Sequence, residues 1–138
     1  MRMTIHMVKL CVGAVDVDDL AAWQQRTMLD HPAPFHQTRM VPKRAKELAD
    51  GGSIYWVVKN VIQVRQPIVE VKEITDRTGR RACELVFDPE LFLVDPMPKR
   101  PFQGWRYLKP EDAPVDLKAG VVDAPAELMA GLKEALVW

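Results

Sequence analysis

The strongest constraint on the fold is a change of phase inside one long β-branched run, Val61 to Thr75. Ile62 and Val64 share one parity, Val69 and Val71 share the other, and Pro67 lies between them. Side chains alternate between the two faces of a strand, so a regular strand through this run would turn its apolar face outward partway along. A β-bulge or sharp bend at Gln66-Pro67 resolves the conflict, and such irregularities are where a strand accepts proline.

The flanking segments read more simply. Thr4 to Val12 reads as a strand, and Asp16 to about Leu29 as a helix with Asp16 as N-cap, acidic residues in its first turn and a Val17, Leu20, Ala21, Met28 stripe. The prolines of His31-Pro-Ala-Pro-Phe-His36 end it, and a short strand near Gln37 to Met40 follows. Pro42 suits the first turn of a second helix that closes at Gly51-Gly52. Ser53–Lys59, Val61–Thr75, Arg80–Asp88 and Leu91–Val94 read as strands, and the prolines between Asp95 and Pro114 predict an extended loop. A last helix starts near Pro125. The expected architecture is one α+β domain over 1–138: a compact, bent, barrel-like sheet of about six strands with about three helices.

At 138 residues and 48% hydrophobic composition, the chain can bury a core without staples. No apolar run approaches the ~20 residues a bilayer span requires. His6 and Lys9 interrupt the N-terminal apolar stretch, so no secretory leader is predicted and the expected location is cytoplasmic. Cys11 and Cys83 sit in apolar runs and read as core residues.

Catalytic signatures are missing. The sequence has no G-x-G-x-x-G, G-x-x-x-x-G-K, H-E-x-x-H or G-x-S-x-G, and its only serine, Ser53, reads as punctuation at a strand start. His6, His31 and His36 lack ligand spacing. The expectation is therefore no catalytic residue, no metal and no cofactor.

Charge is more informative. The net charge is zero but sorted: Thr38–Arg81 carries +5, Ala82–Pro98 carries −4, and Lys99–Lys109 carries +4 with no acid. Sorting of this kind focuses a local field. Lys43 and Arg44 are expected in the first turn of the second helix, where the dipole disfavours cations unless an anion docks. In Lys99-Arg-Pro-Phe-Gln-Gly-Trp-Arg-Tyr-Leu-Lys109, the rings Phe102, Trp105 and Tyr107 interleave with Lys99, Arg100, Arg106 and Lys109. Cations hold phosphates and flat rings stack on bases. Tyr55, Lys59 and Arg65 form a third group on strands, and alternation sends Tyr55 and Trp56 to opposite faces.

The runs Met3–Gly13, Arg39–Arg44, Gly51–Lys59 and Arg100–Pro114 resemble a bacterial family catalogued as domain of unknown function 1489, a resemblance that covers nearly the whole chain and implies no activity. Ala45–Arg65 is also similar in layout to the PUA-like superfamily and its ASCH relatives, small bent barrels in which a helix leads through glycine into a basic strand. The ASCH pattern of Gly-x-Lys followed by Glu-x-Arg is absent. That likeness implies binding of RNA or a modified base.

Three functions are consistent with these residues. The first is a non-catalytic binder of RNA, nucleic acid or a nucleotide, using the basic and aromatic segments and no membrane. The second is a small enzyme acting on an anionic or phosphorylated metabolite. The third is a protein-interaction or homodimeric scaffold anchored by Trp105 and Tyr107.

Overall fold

The computed structural model describes residues 4–11 and 15–122. Its elements, in chain order, are β1 (His6–Leu10), α1 (Val17–Met28), β2 (Phe35–Thr38), α2 (Ala45–Ala49), β3 (Ser53–Val58), β4 (Val61–Thr75), β5 (Arg81–Phe87), β6 (Leu91–Pro98), β7 (Trp105–Leu108), a 3-10 turn (Pro110–Asp112) and β8 (Asp116–Val122).

The long strand β4 organises the molecule by changing partners midway. Its first half pairs with β3 on one side and β6 on the other; from Ile68 onward it pairs with β5. The larger part of the sheet therefore runs β8-β6-β4-β3-β1-β7, and the smaller part β4-β5-β2. All pairings are antiparallel except β1 with β3, which are joined through α1, β2 and α2.

The expected phase change is present, but its bulge lies at Val69, just beyond Gln66-Pro67, which pair regularly with Ile54 and Ser53. The handover falls at Pro67/Ile68, and Val69 is the extra residue of a bulge, since Ile68 faces Phe87 while Glu70 faces Val86. Val69 is accordingly exposed, and Val71 returns to the core side. A second bulge, at Gln63, has no counterpart in the sequence pattern. Trp56 faces Val64 but Val57 faces Ile62, so Ile62 and Val64 enter different core clusters despite their shared parity.

The barrel expectation is corrected. Among the described residues there are eight strands rather than about six and two α-helices rather than about three, and the sheet does not close, with β2 and β7 ending its main path. Bending at β4 splits the sheet into two parts instead of curling it onto itself, and the PUA-like barrel goes with it. The segment read as an extended loop supplies the rest of β6 and all of β7. Pro96 falls within the register shift between Ile62/Met97 and Val64/Leu93, where a strand tolerates proline. The helix expected from Pro125 lies outside the described residues.

Other boundaries shift for local reasons. Asp16 caps α1 as expected, accepting a 2.8 Å bond from the Asp19 N–H. By contrast α2 starts only at Ala45, so Lys43 and Arg44 precede it rather than filling its first turn. Gly51 takes a left-handed φ of 85° after α2. Gly52 has a different reason: a Cβ there would lie 2.4 Å from both the Ile5 and Leu48 carbonyl oxygens.

The two faces of the larger sheet part pack differently. On the helix face, Met7, Ile54, Trp56 and Val64 join Leu20 and Ala21 of α1, Leu48 of α2, and Leu85 and Phe87 of β5. Gln24 and Gln66 are buried there and exchange two reciprocal 2.7 Å amide bonds. Gln66 also donates to the Asp88 carbonyl (2.9 Å) and accepts from Trp56 Nε1 (3.3 Å). This network ties α1 to β4 beside the handover, and its groups are satisfied as buried polar atoms must be. On the opposite face, a smaller cluster of Val8, Tyr55, Val57, Ile62 and Val94 is covered by Phe102, Leu108 and Ala113. Cys83 is buried as expected, whereas Cys11, just past β1, is only half-buried.

Candidate functional site

Strand alternation decides which cations and rings can meet. In β7, Trp105 and Tyr107 stand opposite Lys9 and Met7 on the helix face, while Arg106 stands opposite Val8 on the other. The continuous basic-aromatic segment of the sequence is thereby divided between two surfaces.

On the helix face, the Tyr107 hydroxyl accepts a 3.1 Å bond from the Arg44 N–H, and the Arg44 guanidinium lies 5.7 Å from the Tyr107 ring centre. Folding thus brings α2 and β7 together. Arg44 is also ion-paired, its Nε donating to Glu47 Oε2 at 2.9 Å. Trp105 packs against the main core and meets Tyr107 edge-on at 4.9 Å. These groups hold one another. Lys43 and Lys109 are exposed outside this contact.

The other face carries two clefts. The first, about 340 Å³, is lined by Pro98, Lys99, Arg100, Pro101, Phe102 and Arg106. Phe102 is half-buried on the small core, with Lys99 Nζ 5.9 Å and the Arg106 guanidinium 5.4 Å from its ring centre. The β3–β4 turn reaches this cleft too. Lys59 and Asn60 both take positive φ, as a tight hairpin requires, and the Asn60 carbonyl accepts the Lys99 N–H at 2.8 Å. The turn thus sets exposed Lys59 beside the cleft's rim.

The second cleft, about 410 Å³, is lined by His6, Tyr55, Arg65 and Asp116 with Gly51 and the Pro110–Val115 strap. Arg65 makes a bidentate pair with Asp116 (both bonds 2.7 Å), donates to Ser53 Oγ (3.0 Å) and stacks on Phe92 at 4.4 Å. The carboxylate raises the Arg65 pKa further through hydrogen bonding. His6 Nδ1 accepts the Ser53 N–H at 3.0 Å, which places the proton of the neutral ring on Nε2. Burial, and then the Arg65 charge, lower the His6 pKa, so the ring is neutral at pH 7. Tyr55 meets His6 edge-on at 5.2 Å, and burial raises its pKa.

The polar groups of this second cleft are engaged with one another. Ser53 Oγ accepts a hydrogen bond from Arg65, while His6 bonds the Ser53 backbone N–H rather than its hydroxyl. Arg65 and Asp116 neutralise one another. Among the described residues no group of three His, Cys, Asp or Glu could hold a metal ion. No helix among them is long and apolar enough to cross a membrane.

Sequence reasoning named Tyr55 and Arg65 but missed His6, Ser53, Phe92 and Asp116 as their neighbours. The polar residues His6, Ser53 and Arg65 lie on paired strands, and only the register joins them. The alternation that separates Tyr55 from Trp56 was legible, and the two do enter different core clusters.

No curated protein and no solved structure matches this chain. A family model described as a protein of unknown function (DUF1489) matches residues 7–138, a span that includes every lining residue of the two clefts except His6. On that match the chain belongs to the DUF1489 family.

Proposed function

We propose that the domain binds single-stranded RNA, or a nucleotide within it, through the face that carries Phe102, and that it does so without catalysis. One observation carries this reading: the cleft around Phe102 is lined by three cations, one aromatic ring and two prolines, with no acid. Lys99, Arg100 and Arg106 grip phosphates, while Phe102 offers a flat apolar surface to a base. Lys59, at the adjoining turn, extends the positive rim. Arg44, Trp105 and Tyr107 are left out of this grip because they face the helices and are engaged there.

The test is fluorescence anisotropy with a labelled single-stranded RNA of fixed length across a salt series. Affinity should fall linearly with log salt, as counterion release requires. Phe102→Ala should cost about 1–3 kcal/mol of binding and leave the salt slope unchanged, because stacking is not ionic. No measurable affinity at low salt, or an affinity indifferent to salt, contradicts the reading.

A further inference from the structure

The second cleft asks for a different kind of ligand from the first. Its charged groups cancel, Arg65 against Asp116, and His6 is held as a neutral ring. What it offers is a mixed set of polar edges. Nε2–H of His6 donates, the Tyr55 hydroxyl both donates and accepts, and the carboxylate oxygens of Asp116 each keep a lone pair beyond those used by Arg65. Tyr55 lines the cleft although the residue as a whole is buried, at 4% exposure. Pro110 and Pro114 add apolar walls. A volume of about 410 Å³ lies within the range of small-ligand sites.

A phosphate would gain little here, since the only cation is already paired and the histidine is uncharged. A neutral heterocycle with adjacent donor and acceptor atoms would satisfy the rim. Register places this cleft on the same sheet face as the first: Arg106 stands opposite Val8, and Val8 opposite Tyr55. Two strand spacings, about 10 Å, separate the Arg106 and Tyr55 backbones.

We propose that the His6–Tyr55–Arg65–Asp116 cleft takes the polar edge of one nucleobase, as the base-reading half of a face whose other half grips the phosphates. The inference rests on the preceding reading for its choice of ligand and on the cleft's own geometry for its chemistry.

Two titrations on the full chain test it separately. In the first, adenosine, cytidine, guanosine, uridine and inorganic phosphate are each added while the His6 ring proton resonances are followed by NMR. Saturable shifts with at least one nucleoside, and none with phosphate, are expected. Shifts with phosphate but no nucleoside, or no shift at all, overturn the proposal. In the second, the four RNA homo-oligomers are compared. The wild type should prefer one base by roughly five- to a hundred-fold, the discrimination typical of a good polar base contact. Tyr55→Phe and Asp116→Asn should shrink that preference several-fold without changing the salt slope, whereas Phe102→Ala should weaken all four alike. Equal affinity for all four oligomers removes the base-reading cleft and leaves the phosphate grip standing. Nucleoside binding without oligomer binding does the reverse.

Discussion

The two faces of the larger sheet part are built from the same strands, yet they dispose of polar groups in opposite ways. On the helix face Gln24, Gln66 and the Trp56 indole bond to one another, and Arg44 is paired with Glu47 and bonded to Tyr107. On the cleft face Lys99 and Arg106 line one surface cleft and Tyr55 lines another, over a much smaller core. Polar chemistry on the first face is used up in holding the fold. On the second, Arg65, Asp116, Ser53 and His6 are joined in one network, but the cations around Phe102 line an open cleft. Changes on the helix face should therefore move stability and leave binding per folded molecule unchanged, and changes on the cleft face should do the converse.

The largest effect is expected at Gly52, where α2 meets β1 and β3. A methyl group there collides with two backbone carbonyls that no side-chain rotation can relieve. Gly52→Ala should lose about 3 kcal/mol or more, measured by urea unfolding. An unchanged midpoint would show that the close approach is not obligatory.

Gln66→Leu should come next. It leaves the buried Gln24 amide and the Trp56 N–H without partners, at a cost of about 3 kcal/mol. If RNA affinity per folded molecule falls in step with stability, the separation between the faces fails.

A pH dependence sharpens the same contrast. His36, edge-on to Trp56, has its pKa lowered to about 4 by burial and then by Lys9. The unfolded imidazole takes its proton near 6.5, while the folded one refuses it until about 4. Stability from this group is whole above pH 6.5, declines as the pH falls toward 4, and stops declining below that. The loss over this window is at most about 3 kcal/mol. His36→Gln should flatten it, and an unaltered pH profile in that variant would remove His36 as the cause.

Much of the fold was legible because its signals are local. Asp16 capping α1, the glycines after α2, the β-branched runs of β3 and β4, and the conflict of parity in β4 each need only a few neighbouring residues. What was hidden depends on partners far along the chain. Nothing in Trp105–Leu108 distinguishes a four-residue strand from an anchored loop until β1 is beside it, and the prolines around it argue the other way. The handover of β4 to β5 is likewise a property of two sheet parts, so bent strands suggested a barrel where the chain builds a branch. The candidate site divides along the same line. Cations and rings could be picked out along the chain, but their sorting by face came from β7 alternation and β1 register. His6 and Asp116 carried no site signal of their own until folding placed both beside Arg65.

The central claim, that cations picked out together in the sequence differ in function because they lie on opposite faces, is tested most directly by one comparison. Single-stranded RNA binding should be measured across a salt series for Arg44→Ala and for the double variant Arg100→Ala/Arg106→Ala, with folding verified in each. Arg44→Ala should leave affinity within about twofold of wild type and the salt slope unchanged, since that guanidinium is paired with Glu47 and faces the helices. The double variant should bind more weakly, with a slope shallower by about 0.7 for each phosphate it no longer neutralises. Equal weakening in both variants, or weakening confined to Arg44→Ala, would contradict the account.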